Sequence, residues 1–528
     1  MKTVIAGALD DCVHVAGVTN FLRLAEQAGW ETVFLGPAVP AEVFVEKARA
    51  YQADLVGVSY RLSPENGARL LAEFAEQADD LRSSGVRFVF GGTPPVARKA
   101  DVLGFFDRSF DGTETKAQVL TYLKGKKLGH HEETSFPQSL IARVEWKTPY
   151  PLLRHHFGLG SVEETAAGIK TIAEAHILDV VSLGIDQEAQ ANFFHPERQN
   201  PFRKGAGGVP VRSADDYRKL YQASRLGNCP LMRTYTGTDD FLKLAKMYVE
   251  TINIAWAAIP LFWFNRMDGR GPWGLEDAIK KHQELMSWYA ERHIPVELNE
   301  PHHWGMREAS DAVFVASAYL SAYNAKAFGV HDYIAQMMFN SPPGLSDAMD
   351  LAKMLAALEI TSPLEDLHFQ IWRQTRTGLL SYPLDMDAAR AHLAASVYLQ
   401  MALKPHIVHV VGYTEADHAV TAPELIASCN VAQRAIENAI QGQPDMTKDP
   451  AVQARKEELV LQAENIIQDI QTLAEEDVDD PLIDPGTLAR AVRSGILDAP
   501  HLKNNPYAKG EVVTRIDSRG ACVDVDQN

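Results

Sequence analysis

Thirteen short β-rich runs, set apart by stretches of helical periodicity, constrain this chain more than any other feature of its sequence. Residues 1–125 carry five of them, TVIAGAL, ETVFLG, DLVGVSY, RFVFGG and DRSFDG, with amphipathic segments such as 65–84 between. Alternation of this kind predicts an α/β fold, a parallel sheet with helices on both faces. From about residue 148 it resumes with PLLRHHF, DVVSLGI, PLMRTYTG, AAIPLFWF, PVELNE, DYIAQMMF, DLHFQIW and IVHVVGY, and ends near residue 442. Eight strand–helix units in about 295 residues match a (β/α)8 TIM barrel.

Between the two series, the charged, glycine-containing KGKKLGHHEETS at 124–135 is the expected break. The predicted plan is a first domain over 1–125, a linker over 126–147, a barrel over 148–442 and a C-terminal helical extension and tail over 443–528. That last part reads as an appendage or an oligomer contact. A formal charge of −18 argues against a nucleic-acid groove or an anionic membrane surface as partner. Four cysteines, Cys12, Cys229, Cys429 and Cys522, stand far apart without a CxxC pair, which argues against a disulfide framework or a structural zinc. MKTVIAGAL runs straight into an acidic pair, as a first buried strand would rather than a signal peptide, and no stretch approaches 18 uninterrupted apolar residues. A cytoplasmic protein without membrane contact is expected, with a homodimer as its assembly.

The loop after the first run reads ALDDCVHVAGVTNF, residues 8–21, where open α/β sheets bind ligands. A dinucleotide site would want GxGxxG there, and a phosphoacceptor site would want an aspartate where the third run has Ser59; both are missing. The intervals are informative. His14-x-x-Gly17 is followed by 41 residues (18–58), then Ser59, then Leu62, then 28 residues (63–90) and Gly91-Gly92. This resembles the cobalamin-binding domains of the methionine synthase and methylmalonyl/glutamate mutase type, which carry D-x-H-x-x-G, S-x-L and G-G at such separations.

The resemblance covers the first domain and implies a flavodoxin-like (Rossmann-like) fold with His14 as the lower axial ligand of the cobalt. It also implies Asp11 as the nearby carboxylate, and Gly17, Ser59, Leu62, Gly91 and Gly92 around the cofactor's displaced nucleotide tail. An imidazole nitrogen suits cobalt, and glycines let backbone approach the tail closely. Two positions depart from the pattern. Cys12 stands where the aspartate two residues before the histidine belongs, and Ser59-Tyr60-Arg61-Leu62 is one residue longer than S-x-L.

In a barrel, functional residues come from the C-terminal ends of strands. There the sequence places Arg154-His155-His156, Asp186, Arg233 with Tyr235, Trp263 and Arg266, then Glu297, Asn299 and Glu300 before His302-His303-Trp304. Gln336, Asn340, Tyr413, Glu415, Asp417 and His418 follow. Arginines in such a rim orient a small carboxylate-bearing molecule, because a guanidinium grips a carboxylate through two N–H groups. Rim charges also pair with one another, and adjacent histidines in an extended segment point apart, which disfavours joint metal ligation by His302 and His303.

The barrel is similar to the catalytic epsilon subunit of glutamate mutase (methylaspartate mutase), with a sigma-like cobalamin domain fused in front. The similarity rests on Arg154 in PLLRHHFGLGSVEE, Asp186 in SLGID, Arg233 in PLMRTYTGTDDFLKLA, Glu300 in ELNEPHHW and Glu415 in VVGYTEADHA. It implies an adenosylcobalamin-dependent isomerase of the carbon-skeleton mutase type, acting by a 5′-deoxyadenosyl radical on a small carboxylate or amino-acid substrate. By that resemblance Arg154 and Arg233 clamp substrate carboxylates, Glu300 handles an amino group and Glu415 holds the adenosyl ribose. The family's lysine shortly before the last glutamate is absent, Gly412 and Tyr413 standing there, so glutamate is not the expected substrate. A corrinoid-dependent methyltransferase and a non-catalytic cobalamin carrier or sensor are the alternatives.

Overall fold

The structure is a computed structural model that describes residues 2–114, 116–125 and 136–525. The chain divides into two compact units, Met1–Thr134 and Ser135–Asn528.

In the first unit, strands β1 (Thr3–Leu9), β2 (Glu31–Val39), β3 (Leu55–Tyr60), β4 (Arg87–Gly92) and β5 (Arg108–Phe110) form one parallel sheet in the order β2-β1-β3-β4-β5. β1 is buried beyond Thr3 because helices cover both of its faces. Val4 and Ala6 pack with Val18, Leu22 and Leu123 on one side; Ile5 packs with Phe44, Leu71 and Phe74 on the other. A strand hidden on both faces gains by being apolar throughout, as TVIAGAL is. Since β1 lies between β2 and β3, the connections leave β1 and β3 in opposite directions and open a crevice beyond their carboxyl ends.

In the second unit, β6 (Leu152–Phe157), β7 (Val180–Leu183), β8 (Leu231–Thr234), β9 (Ala257–Ile259), β10 (Val296–Leu298), β11 (Asp332–Phe339), β12 (Gln370–Thr377) and β13 (Ile407–His409) form a parallel ladder in the order β8-β7-β6-β13-β12-β11-β10-β9. At the seam between β8 and β9 the Ala255 amide donates to the Met232 carbonyl at 2.8 Å, so the barrel is nearly closed. All eight expected runs contribute a strand, yet β12 continues to Thr377, five residues past the apolar run. Within its continuation, RQTRT, Gln374 and Arg376 alternate into a polar interior.

That interior changes character along its axis. Leu152, Val180, Leu231, Trp256, Ile334 and Ile407 form an apolar layer at the amino ends of the strands, stoppered by Leu140 and Val144. These two belong to a helix, Leu140–Lys147, formed within the stretch expected as linker; residues 126–135 of that stretch lie outside the described residues. One pleat further up, the inward positions become Arg154, Ser182 and Arg233. Arg376 and His409 stand in register with Arg154 across β12, β13 and β6.

The C-terminal extension packs on the barrel. Helix Pro450–Thr472 buries Val452, Leu459, Ala463 and Ile470 and lies against helices Asp311–Ala327 and Asp347–Thr361. Arg455 on it reaches Asp311 at 3.1 Å, and buried Lys353 lies 3.6 Å from Asp311 and 3.0 Å from Asp350. Among the described residues no helix is long and apolar enough to cross a membrane.

Candidate functional site

The first unit holds a cavity of 460 Å³ at the carboxyl ends of β1, β3 and β4. Its floor is apolar, with Val18, Phe21, Leu24, Val58 and Val119, and its rim is polar, with Asn20, Ser59, Arg61, Asp111 and Glu114. Gly17, Gly91 and Gly92 all line it. A Cβ at Gly17 or Gly91 would meet no non-neighbouring atom of the described residues within 4 Å, so both glycines face open space in the cavity. Gly92 has a different reason: a Cβ there would stand 2.6 Å from the Tyr60 carbonyl oxygen. Leu62, 40% exposed, is outside the lining.

His14 is exposed in the loop between β1 and helix Ala16–Gln27. The buried thiol of Cys12 lies beside its Nδ1, with Sγ at 3.9 Å. Asp11 turns elsewhere: its carboxylate accepts from Asn66 Nδ2 at 3.5 Å, and the same amide donates to the Tyr60 hydroxyl at 2.8 Å. The group beside the His14 imidazole is thus a thiol, a weaker acceptor than the carboxylate expected there. An exposed imidazole, an apolar cleft of this size and two glycines facing open space fit a corrinoid with its tail inserted.

In the barrel, Arg154 and Arg233 lie side by side over Trp256, 5.5 and 5.2 Å from its ring centroid. Their surroundings differ. Arg154 donates to Ser182 Oγ and Gln374 Oε1, both at 2.7 Å, and its Nη1 is 3.6 Å from Glu297. Its Nη2 lies 2.9 Å from His156 Nε2, so every nitrogen of the guanidinium is engaged. Arg233 is 1% exposed, has only a 3.4 Å bond to Ser182, and leaves Nε and Nη2 without a partner among the described residues. Arg376 leaves its Nε unpartnered as well. Tyr235 closes the group: its hydroxyl is 3.2 Å from the His156 ring, and both Arg233 and Arg376 act on it.

Burial, reinforced by Arg376, holds the imidazoles of His156, His302 and His409 well below the usual histidine range, so they are neutral at pH 7. Glu300 is fully buried at the start of helix Glu300–Gly305. Its Oε1 accepts from the amides of Leu261 and Phe262, while Oε2 has no partner among the described residues. Burial pushes its carboxyl up to about 8, against two amide bonds that pull the other way. Glu415 Oε1 accepts from the Gly412 amide at 2.9 Å and lies 3.2 Å from His155 Nε2. A Cβ at Gly412 would stand 2.9 Å from that same nitrogen, so glycine is what lets His155 and Glu415 meet.

Other rim residues have structural partners. Asp186 caps helix Gln187–Ala191 and is gripped through both oxygens by Arg212, at 2.9 and 2.6 Å. His418 pairs with Asp417 and Glu424 on the surface, Gln336 bonds Gln374, and Asn340 bonds Ser396. His302 and His303 stack on each other, 4.5 Å between ring centres. Among the described residues no group of three His, Cys, Asp or Glu side chains is arranged to hold a metal ion. Sequence reasoning missed Ser182, Gln374, Arg376 and His409. Arg376 and Gln374 lay beyond the apolar run, and the only signal for them was the period of two that RQTRT continues from QIW.

Residues 2–120 match the family model described as B12 binding domain. Over 127 residues the chain is 28% identical to dimethylamine corrinoid protein 2 of Methanosarcina acetivorans, covering 24% of this chain and 58% of that protein. It is 29% identical over 108 residues to trimethylamine corrinoid protein 2 of the same organism, covering 20% and 48%. A solved structure described as a novel cobalamin-binding protein from Desulfitobacterium hafniense DCB-2 is 24% identical over 22% of this chain and 55% of that one, with a TM-score of 0.19. The chain spans about half the length of the curated relatives it matches. Residues 2–120 are therefore a B12-binding domain whose parallel sheet opens a crevice beyond β1 and β3, joined in this chain to a nearly closed parallel α/β barrel.

Proposed function

We propose that this chain is an adenosylcobalamin-dependent isomerase whose barrel binds a small carboxylate-bearing substrate. The observation that carries the reading is Arg233, buried with two guanidinium nitrogens that have no partner among the described residues. A charge stripped of water and left short of partners is costly, and a substrate carboxylate relieves that cost by accepting both N–H groups. Arg376 beside Tyr235 supplies further positive potential, while Arg154, saturated by Ser182, Gln374, His156 and Glu297, holds the wall of the site.

Cobalamin in its adenosyl form supplies a carbon radical when its cobalt–carbon bond breaks homolytically. The residues' work is restraint. Rearrangement exchanges a hydrogen for a migrating group within one molecule, with no net oxidation, so the barrel must hold the substrate still and keep water and other hydrogen donors away. Neutral His156, His302 and His409 serve this as polar walls without ionisable charge. Glu300 is set for an amino group: an ammonium beside Oε2 stabilises the carboxylate and draws its proton off, so binding of an amino acid releases a proton to solvent.

A second reading is favoured by the relatives named for dimethylamine and trimethylamine: transfer of a methyl group through the corrinoid. One experiment separates the two. Anaerobic incubation with adenosylcobalamin and a panel of carboxylic and amino acids is followed by electron paramagnetic resonance. An organic radical coupled to Co(II) is expected, abolished in Arg233→Ala with cobalamin uptake intact. Turnover with methylcobalamin but none with adenosylcobalamin refutes the isomerase.

A further inference from the structure

We infer that residues 498–525 are a strap that positions the loops following β9, β10 and β11 of the barrel, and through them the Glu300 end of its mouth. The segment is itself firmly folded. Asp498, 3% exposed, accepts from the amides of Ala499, Gly510, Glu511 and Val512 and so ties both ends of its first loop together. Thr514–Ile516 and Cys522–Asp524 then pair as an antiparallel hairpin.

This folded segment bonds three consecutive mouth loops. Asn505 Nδ2 donates to the Met267 carbonyl after β9 at 2.7 Å. Thr514 Oγ1 donates to the Glu308 carbonyl after β10 at 2.7 Å, and the Cys522 amide donates to Asp311 Oδ2 at 3.0 Å. After β11, Ser346 donates from its amide to the Gly520 carbonyl at 3.0 Å and from its hydroxyl to the Arg519 carbonyl at 2.8 Å.

The loops after β9 and β10 are the same two that Glu300 bridges inside the mouth, from its place after β10 to the Leu261 and Phe262 amides after β9. The strap therefore fixes from outside the spacing that this inner bond needs. The strap touches no reacting atom; it is a positioning element. Calling the Glu300 end a substrate subsite rests on the functional reading above, whereas the strap's mechanical role does not.

Gly520 gives the test its handle. Its φ is +87°, and a Cβ there would stand 2.7 Å from the Ser346 amide nitrogen, so Gly520→Ala pushes the hairpin off the β11 loop. Asn505→Ala removes one bond to the β9 loop without strain and decides the matter if the first variant fails to fold. Full-length variants are compared with the parent chain by hydrogen exchange and by unfolding between pH 6 and 9. In each, the amides of Leu261 and Phe262 are expected to exchange at least about tenfold faster while those of β6 and β8 keep their rates. The pH dependence that the buried Glu300 carboxyl imposes on unfolding flattens as water reaches it. Unchanged exchange at Leu261 and Phe262, acceleration spread evenly through the barrel strands, or an unaltered pH slope overturns the proposal. Corrinoid binding by residues 2–120 stays the same in both variants, so a fault in the functional reading would not imitate any of these results.

Discussion

Replacing Glu300 by glutamine tests the electrostatics of the barrel mouth directly. In the folded protein this carboxyl titrates near 8, against 4.5 in its ordinary state, because it is buried with one oxygen unpartnered among the described residues. Between those pH values the native state keeps a proton that the unfolded chain has lost. Stability from this group is therefore complete below about pH 4.5, falls as pH rises, and stops falling near pH 8. At about 1.4 kcal/mol per pH unit, the native state loses about 3 kcal/mol from Glu300 between pH 6 and pH 9. Glu300→Gln keeps an oxygen for the Leu261 and Phe262 amides and removes the ionisation, so that loss disappears. Guanidinium unfolding followed by tryptophan fluorescence is the assay, since seven of the eight tryptophans lie in residues 135–528. The stability difference between variant and parent should shift by about 3 kcal/mol in the variant's favour from pH 6 to pH 9. Parallel pH profiles, agreeing within about 0.5 kcal/mol, would refute the reasoning, for they would mean that Glu300 is already ionised in the native state at pH 6.

In the first unit, Gly91→Val fills space that no protein atom occupies, so apo stability should change by no more than about 0.5 kcal/mol while cobalamin affinity drops at least about tenfold in equilibrium dialysis. His14→Gly should weaken uptake and alter the absorption spectrum of the bound corrinoid; unchanged affinity and spectrum would remove His14 from the cobalt. Asp311→Asn leaves Lys353 and Arg455 buried without their shared carboxylate and should cost the barrel about 3–5 kcal/mol in chemical denaturation, without affecting cobalamin binding.

How much of this was legible in the sequence depends on which force places each residue. Most strands of the two parallel sheets are written in apolar runs, because a strand buried on both faces excludes water along its whole length. The crevice loop was legible as well, since His14 follows β1 while Ser59 and Gly91 lie near the carboxyl ends of β3 and β4, at intervals set by strand and helix lengths. Arg233 and Glu300 stood out because each ends such a run. The wall that surrounds them did not. Ser182 shows as one polar residue in an apolar run, and Arg376 sits in a polar stretch that reads as loop until the closed barrel supplies neighbours for it.

The sequence by itself determined the α/β architecture, the thirteen strands of the two parallel sheets and the B12-binding character of the first unit, all of which follow from local periodicity and from spacing along the chain. Only the tertiary structure decided which arginine is saturated and which is left with free N–H groups, that Cys12 rather than Asp11 faces His14, and that residues 498–525 brace three mouth loops. Apart from the local Cys12–His14 contact, those outcomes depend on contacts between residues tens to hundreds of positions apart, such as Asn66 drawing Asp11 away, and hydrogen-bond satisfaction at such range is a property of the closed barrel and the packed sheet, with no periodic trace in the chain.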